Sequence, residues 1–99
     1  MEAKAVNDIP EQLLEFRKRI DALDEELLAT LKKRFEVTNE VGQLKARHDL
    51  APVDPKREQE KLERLQEVAI ANGLDGDFVH TLFQMLFDEV VKNHRSFRT

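Results

Sequence analysis

The sequence predicts an all-α protein of three helices, and three observations carry that expectation. Apolar residues recur at helical spacing over long stretches, and strand signals are nearly absent. The composition favours helix as well, with 36% charged residues, three Gly, three Pro, no Trp and no Tyr, and with Leu, Glu, Lys, Arg and Ala prominent. The chain has 99 residues, which makes one domain. A lone domain of this size buries only a little over about 60% of its unfolded surface, so the core is modest and a partner chain is a natural supplement.

The first helix begins near Pro10, where Asn7 or Asp8 supplies a cap. Residues 1–9 are then a flexible N-terminus, and 10–97 form the helical domain. Leu13, Phe16, Ile20, Leu23, Leu27, Leu31, Val41 and Leu44 keep a 3–4 spacing, which reads as one helix of roughly 38 residues. Gly42 costs that helix about 1 kcal/mol relative to Ala without supplying a stop. Residues 48–53 are a loop. Asp54 followed by Pro55 then signals an N-cap and a first turn. The second helix runs to about Asn72, where Gly73 is a natural terminator. Asp75 or Asp77 starts the third, whose apolar face reads Phe78, Val79, Leu82, Phe83, Leu86, Phe87, Val90 and Val91 to about Phe97. Repeats, linkers and low-complexity segments are absent from the sequence.

The unequal lengths carry an inference of their own. A helix of this size is about 57 Å long, whereas a domain of about 100 residues has a radius of gyration near about 13 Å. Two shorter helices cannot cover it. An intertwined homodimer with long helices packed together is the economical solution, and a bent or broken first helix in a monomeric bundle is the alternative.

Composition also narrows the chemistry. Without cysteine there is no disulfide framework, thiolate chemistry or Cys-based zinc site. The N-terminus has neither the apolar run of a signal peptide nor a span long enough for a membrane helix, so the expected location is cytoplasmic. A net charge of −4, with no basic stripe or stacking aromatics, argues against nucleic acid. Local clusters of cations must serve something smaller.

Those clusters have a geometry. Arg34 and Lys45 are 11 residues apart on the first helix, close to three turns, so they share a face about 16 Å apart along the axis. Long side chains reaching toward each other can bracket one small polyanion. Arg57 and Glu58 lie in the first turn of the second helix, where backbone N–H groups and the helix dipole also favour an anion. The loop can fold that turn back beside Lys45. Arg17 is rotated about 100° off the Arg34 face and displaced about 25 Å along the axis. It cannot join the same site from its own straight helix, but it can from a chain running alongside. Solvated i,i+4 ion pairs are the plainer reading of each cation.

The residues at this point carry a resemblance. The run Phe16-Arg17-Lys18-Arg19-Ile20-Asp21-Ala22-Leu23-Asp24 is followed by Glu26-Leu27-Leu28, then Lys33-Arg34 and Val41-Gly42-Gln43-Leu44-Lys45. Asp54-Pro55-Lys56-Arg57-Glu58, Leu62-Glu63-Arg64-Leu65, Gly73-Leu74-Asp75 and Phe83-Gln84 continue it in order. Together they resemble the all-helical chorismate mutase family over nearly the whole chain, in its stand-alone, monofunctional form. No attached dehydratase or dehydrogenase domain is expected.

The resemblance implies an intertwined six-helix homodimer with two equivalent active sites, no cofactor and no metal. It implies that Arg34 and the partner subunit's Arg17 grip two substrate carboxylates, and that Lys45 reaches a carboxylate and the ether oxygen. Arg57 supports the enolpyruvyl carboxylate, while Glu58 and the Asp54 backbone hold the ring hydroxyl. Rearranging chorismate to prephenate is a concerted pericyclic step. It therefore asks for orientation and preorganised charge rather than a nucleophile.

Two positions depart from the pattern. Val90 stands where the family commonly has a small polar residue such as Ser, and His94 where it has Gln or Glu. In the mutase reading His94 donates a hydrogen bond to the ether oxygen and activity depends on pH across the range where imidazole titrates; the plainer reading is a frayed, exposed C-terminal residue. His48 and His80 read as surface residues, and Met85 with Phe78, Phe83 and Phe87 as core or wall. The same fold resembles isochorismate-pyruvate lyase and mutases of 4-amino-4-deoxychorismate, in which Glu58 would pair with an ammonium. A non-catalytic helical dimerisation or regulatory module is the reading from a different class.

Overall fold

The structure is a computed structural model, and it describes residues 9–98. Three α-helices follow one another: α1 (Glu11–Arg47), α2 (Pro55–Ala71) and α3 (Gly76–Ser96). The described residues contain no strand. The expected caps Asn7 and Asp8 lie outside the described residues.

Both helix ends that turn the chain use the same device. After α1, Leu50 N–H donates to Lys45 C=O (2.8 Å) and Asp49 N–H to Ala46 C=O (3.3 Å), with Asp49 at φ 54°. After α2, Leu74 N–H donates to Ala69 C=O (2.8 Å) and Gly73 N–H to Ile70 C=O (3.1 Å), with Gly73 at φ 75°. This is the pattern of paired bonds that satisfies last-turn carbonyls through a left-handed residue. Gly73 is the terminator its type suggests. Asp49 is a stop that the residue type signals only weakly, because a short polar side chain tolerates the left-handed region less well than glycine does.

The starts are capped by aspartates. The Asp54 carboxylate accepts from Arg57 N–H at 3.2 Å, and Pro55 occupies the first turn. Asp75, rather than Asp77, caps α3, accepting from the N–H groups of Asp77 (2.9 Å) and Phe78 (3.1 Å).

The chain divides into two units, residues 1–34 and 35–99. In the first, every residue of 11–30 is exposed. Its apolar side shows Leu27 at 59% and Leu28 at 65% exposure, together with Phe16, Ile20 and Leu23. Arg19 lies over the Phe16 ring at 5.8 Å.

The second unit holds the end of α1, α2 and α3, and α2 packs on α3. Its buried residues are Leu62 and Ala69 on α2, Val79, Phe87 and His94 on α3, and Gly42 on α1. Phe83 meets Phe87 edge-on with ring centroids 6.3 Å apart. A Cβ on Gly76 would stand 3.0 Å from Gln66 Cγ and 3.2 Å from Ile70 Cδ1, so a glycine opens α3 where it closes on α2. Phe78 and Met85, expected as core or wall, are both 65% exposed. They sit on a side of α3 that this chain leaves uncovered. His48 is exposed as expected, whereas His80 is half-buried rather than on the surface.

Burial along residues 35–47 of α1 has an unusual polarity. The covered positions are Phe35, Thr38, Asn39, Gly42, Lys45 and Ala46, while Val37, Val41 and Leu44 are exposed. The side of this segment covered by its own chain is largely its polar side.

Candidate active site

The site residues of the second unit come from the end of α1, the start of α2 and the end of α3. Lys45 is half-buried in the last turn of α1 and makes no ion pair among the described residues. Two ion pairs of the second unit, Arg64 with Glu67 and Lys92 with Glu89, are exposed and at 3.8 Å. Such pairs contribute little. The charge of Lys45 is therefore not committed to a carboxylate of its own chain.

At the start of α2, Asp54 and Arg57 are exposed and Glu58 is half-buried. The backbone of this turn offers an anion less than its position suggests. Pro55 has no N–H, Arg57 N–H goes to the Asp54 carboxylate, and Glu58 N–H goes to Asp54 C=O at 3.0 Å. A capping carboxylate also places negative charge at that helix end. Lys56 N–H takes part in neither bond, so what the turn has for an anionic ligand is that one N–H with the Lys56 and Arg57 side chains.

On α3, Val90 is half-buried and His94 is buried at 3% exposure. A frayed, exposed His94 is thus excluded. Its ring lies against α1 at the one position without a side chain: a Cβ on Gly42 would come within 2.5 Å of Cδ2, 3.0 Å of Cγ and 3.1 Å of Nε2. Nε2 is 2.8 Å from Thr38 C=O, and Nδ1 is buried with no hydrogen-bond partner. A carbonyl oxygen only accepts, so Nε2 carries the proton in this bond.

In the first unit, Arg17 is exposed and Arg34 half-buried. The direct contacts join Asp54 to Arg57, and His94 to the Thr38–Gly42 turn. Thr38 and Gly42 are the residues that sequence reasoning passed over. Their signal was present, since a lone glycine inside a helical pattern often marks a close approach. Arg98 was also missed; its guanidinium donates to Leu50 C=O and ties the end of α3 to the loop after α1.

Among the described residues no helix is long and apolar enough to cross a membrane, and no group of three or more His, Asp or Glu side chains is arranged to hold a metal ion.

Comparison with known proteins completes the description. The bifunctional chorismate mutase/prephenate dehydratase of Escherichia coli is 40% identical over 79 residues, which are 80% of this chain and 20% of that protein. The T-protein of Haemophilus influenzae is 31% identical over 87 residues, 88% of this chain and 23% of that protein. This chain thus spans about a fifth of the length of these curated relatives. The 4-amino-4-deoxychorismate mutase of Streptomyces venezuelae is 28% identical over 81 residues, covering 82% of this chain and 79% of that protein. The family model for chorismate mutase type II matches residues 16–95. The chain belongs to the chorismate mutase type II family.

Proposed function

We propose that this chain is a chorismate mutase that rearranges chorismate to prephenate, acting as an intertwined homodimer in the cytoplasm. The observation that carries the reading is the extent of the family match. Residues 16–95 take in Arg17, Arg34, Lys45, Asp54, Arg57, Glu58, Val90 and His94.

The reaction breaks one C–O bond and forms one C–C bond within a single dianion, with no change of redox state. The protein must hold a floppy substrate in a folded conformer and stabilise the charge that grows on the ether oxygen. Arg34 and the partner subunit's Arg17 grip the carboxylates, for which the planar guanidinium fork allows two parallel bonds. Lys45 reaches a carboxylate and the ether oxygen. Its half-burial and lack of a carboxylate partner support that role, because a charge in a less solvated place acts more strongly on its target. Arg57 supports the enolpyruvyl carboxylate, Glu58 with the Asp54 backbone holds the ring hydroxyl, and His94 donates to the ether oxygen beside Val90.

The bare apolar side of α1 supports the homodimer. Full burial of a Leu, Ile, Val or Phe side chain contributes about 1.5–3 kcal/mol. Phe16, Ile20, Leu23, Leu27, Leu28, Val37, Val41 and Leu44 are all exposed in the single chain. Folded stability is commonly about 5–15 kcal/mol in total. Leaving these residues in water forgoes an amount of that order, and a second α1 recovers it.

The Streptomyces venezuelae relative favours a second reading, in which the ring carries an amine and Glu58 pairs with its ammonium. The deciding experiment incubates purified protein separately with chorismate, isochorismate and 4-amino-4-deoxychorismate and identifies products by chromatography. Prephenate from chorismate, lost by orders of magnitude in Arg34→Ala, is the expected result. Preferred turnover of the aminated substrate moves the assignment to that reaction, and salicylate with pyruvate from isochorismate moves it to the lyase. No turnover of any of the three, with Arg34→Ala silent, leaves a helical dimerisation module.

A further inference from the structure

We infer that the Thr38–Gly42 turn of α1 fixes the proton of His94 on Nε2, so that this ring can donate to a ligand only after Nδ1 has gained a second proton. The inference rests on the mutase reading for the identity of the ligand atom. The tautomer follows from geometry alone.

Imidazole has two nitrogens and, when neutral, one proton. In this chain Nε2 is 2.8 Å from Thr38 C=O, an oxygen with no proton to give. That bond holds the neutral proton on Nε2 and leaves Nδ1 with a bare lone pair. Nδ1 is also buried and has no partner. A polar atom buried without a partner costs free energy unless something fills it, and ligand sites are where such costs are tolerated. Gly42 makes the arrangement possible, since a side chain there would stand 2.5 Å from Cδ2 and expel the ring. It is a positioning residue.

The consequence is directional. An ether oxygen gaining negative charge needs a donor, and neutral His94 presents it with an acceptor. The imidazolium presents Nδ1–H and keeps the Thr38 bond at the same time. The His94 contribution therefore belongs to the imidazolium and is absent from the neutral ring. The half-buried charged and titratable groups beside His94 in the second unit are Lys45 on α1, Glu58 and Lys61 on α2, His80 on α3 and Arg98 just beyond the end of α3.

Two measurements test this on the intact protein. Nitrogen-15 NMR of the histidine rings, at a pH where His94 is neutral, reads the tautomer directly. A proton on Nε2 is expected, and a proton on Nδ1 overturns the inference whatever the activity. The second is kcat/KM for chorismate between about pH 5 and 8. The wild type is expected to lose activity toward high pH, by up to about tenfold per pH unit. His94→Gln, a donor that does not titrate, is expected to be flat, and His80→Gln to keep the wild-type slope. A flat wild-type profile, or the same slope in His94→Gln, overturns the donation step. Absence of turnover at every pH sinks the mutase reading and the donation step with it, while the NMR result still decides the tautomer.

Discussion

At the residue scale, the chemistry of this chain depends on which cations its own carboxylates leave unpaired. Lys45 is half-buried and has no ion pair among the described residues, in a chain with 20 acidic side chains. Lys45→Ala is expected to lower kcat for chorismate by about two to three orders of magnitude, as removal of one preorganised charge does. Because Lys45 stabilises nothing of its own chain by an ion pair, its loss should leave the thermal midpoint nearly unchanged. A fall in activity that merely tracks a fall in stability would count against its role at the site. Position and charge suffice to nominate Lys45 from the sequence, but they do not reach the tautomer of His94. It is set by a backbone carbonyl 56 positions away in sequence, and no pattern of side-chain types encodes a carbonyl.

At the scale of elements, the punctuation was the most readable layer. Asp54, Pro55, Gly73 and Asp75 act where their residue types place them, because capping and left-handed turns are local effects that need no tertiary context. The backbone of the second helix start was read less well. Two of the N–H groups expected to favour an anion, those of Arg57 and Glu58, are taken up by Asp54, a competition visible only once the cap is formed. Gly42 illustrates the opposite limit. Its cost to α1 is local, while its benefit lies in the ring of His94, an element away.

That pairing can be measured. Gly42→Ala is expected to destabilise the wild type by about 1–3 kcal/mol, the usual cost of overpacking. In a His94→Ala background, where the ring is gone, the same substitution should be close to neutral or mildly stabilising, since Ala favours helix. A double-mutant cycle by chemical denaturation gives the coupling. Equal costs in the two backgrounds would mean that Gly42 serves something other than the ring.

On the scale of the whole molecule, the long first helix was legible from its periodicity, and its length is what motivates the proposed partner. Phe78 and Met85 were placed in the core because the periodic pattern cannot tell which chain covers a face. With a second copy as the cover, Leu27→Lys should convert a dimer into a species of half the mass by light scattering and abolish turnover. A wild-type protein that is active as a monomer at every concentration would overturn the homodimer.

Along residues 35–47 the side of α1 covered by its own chain is largely polar, and in the proposed homodimer, where a second copy covers the apolar side, this division also orders events in time. The α2–α3 hairpin joins segments close in sequence and can form at a rate independent of concentration. In the proposed homodimer, completion of the apolar side requires two chains to collide, so it is expected to slow with dilution. On that reading, the species expected to accumulate in a dilute refolding mixture has its hairpin closed and the apolar side of α1 bare, and that interval is where wrong pairing would act.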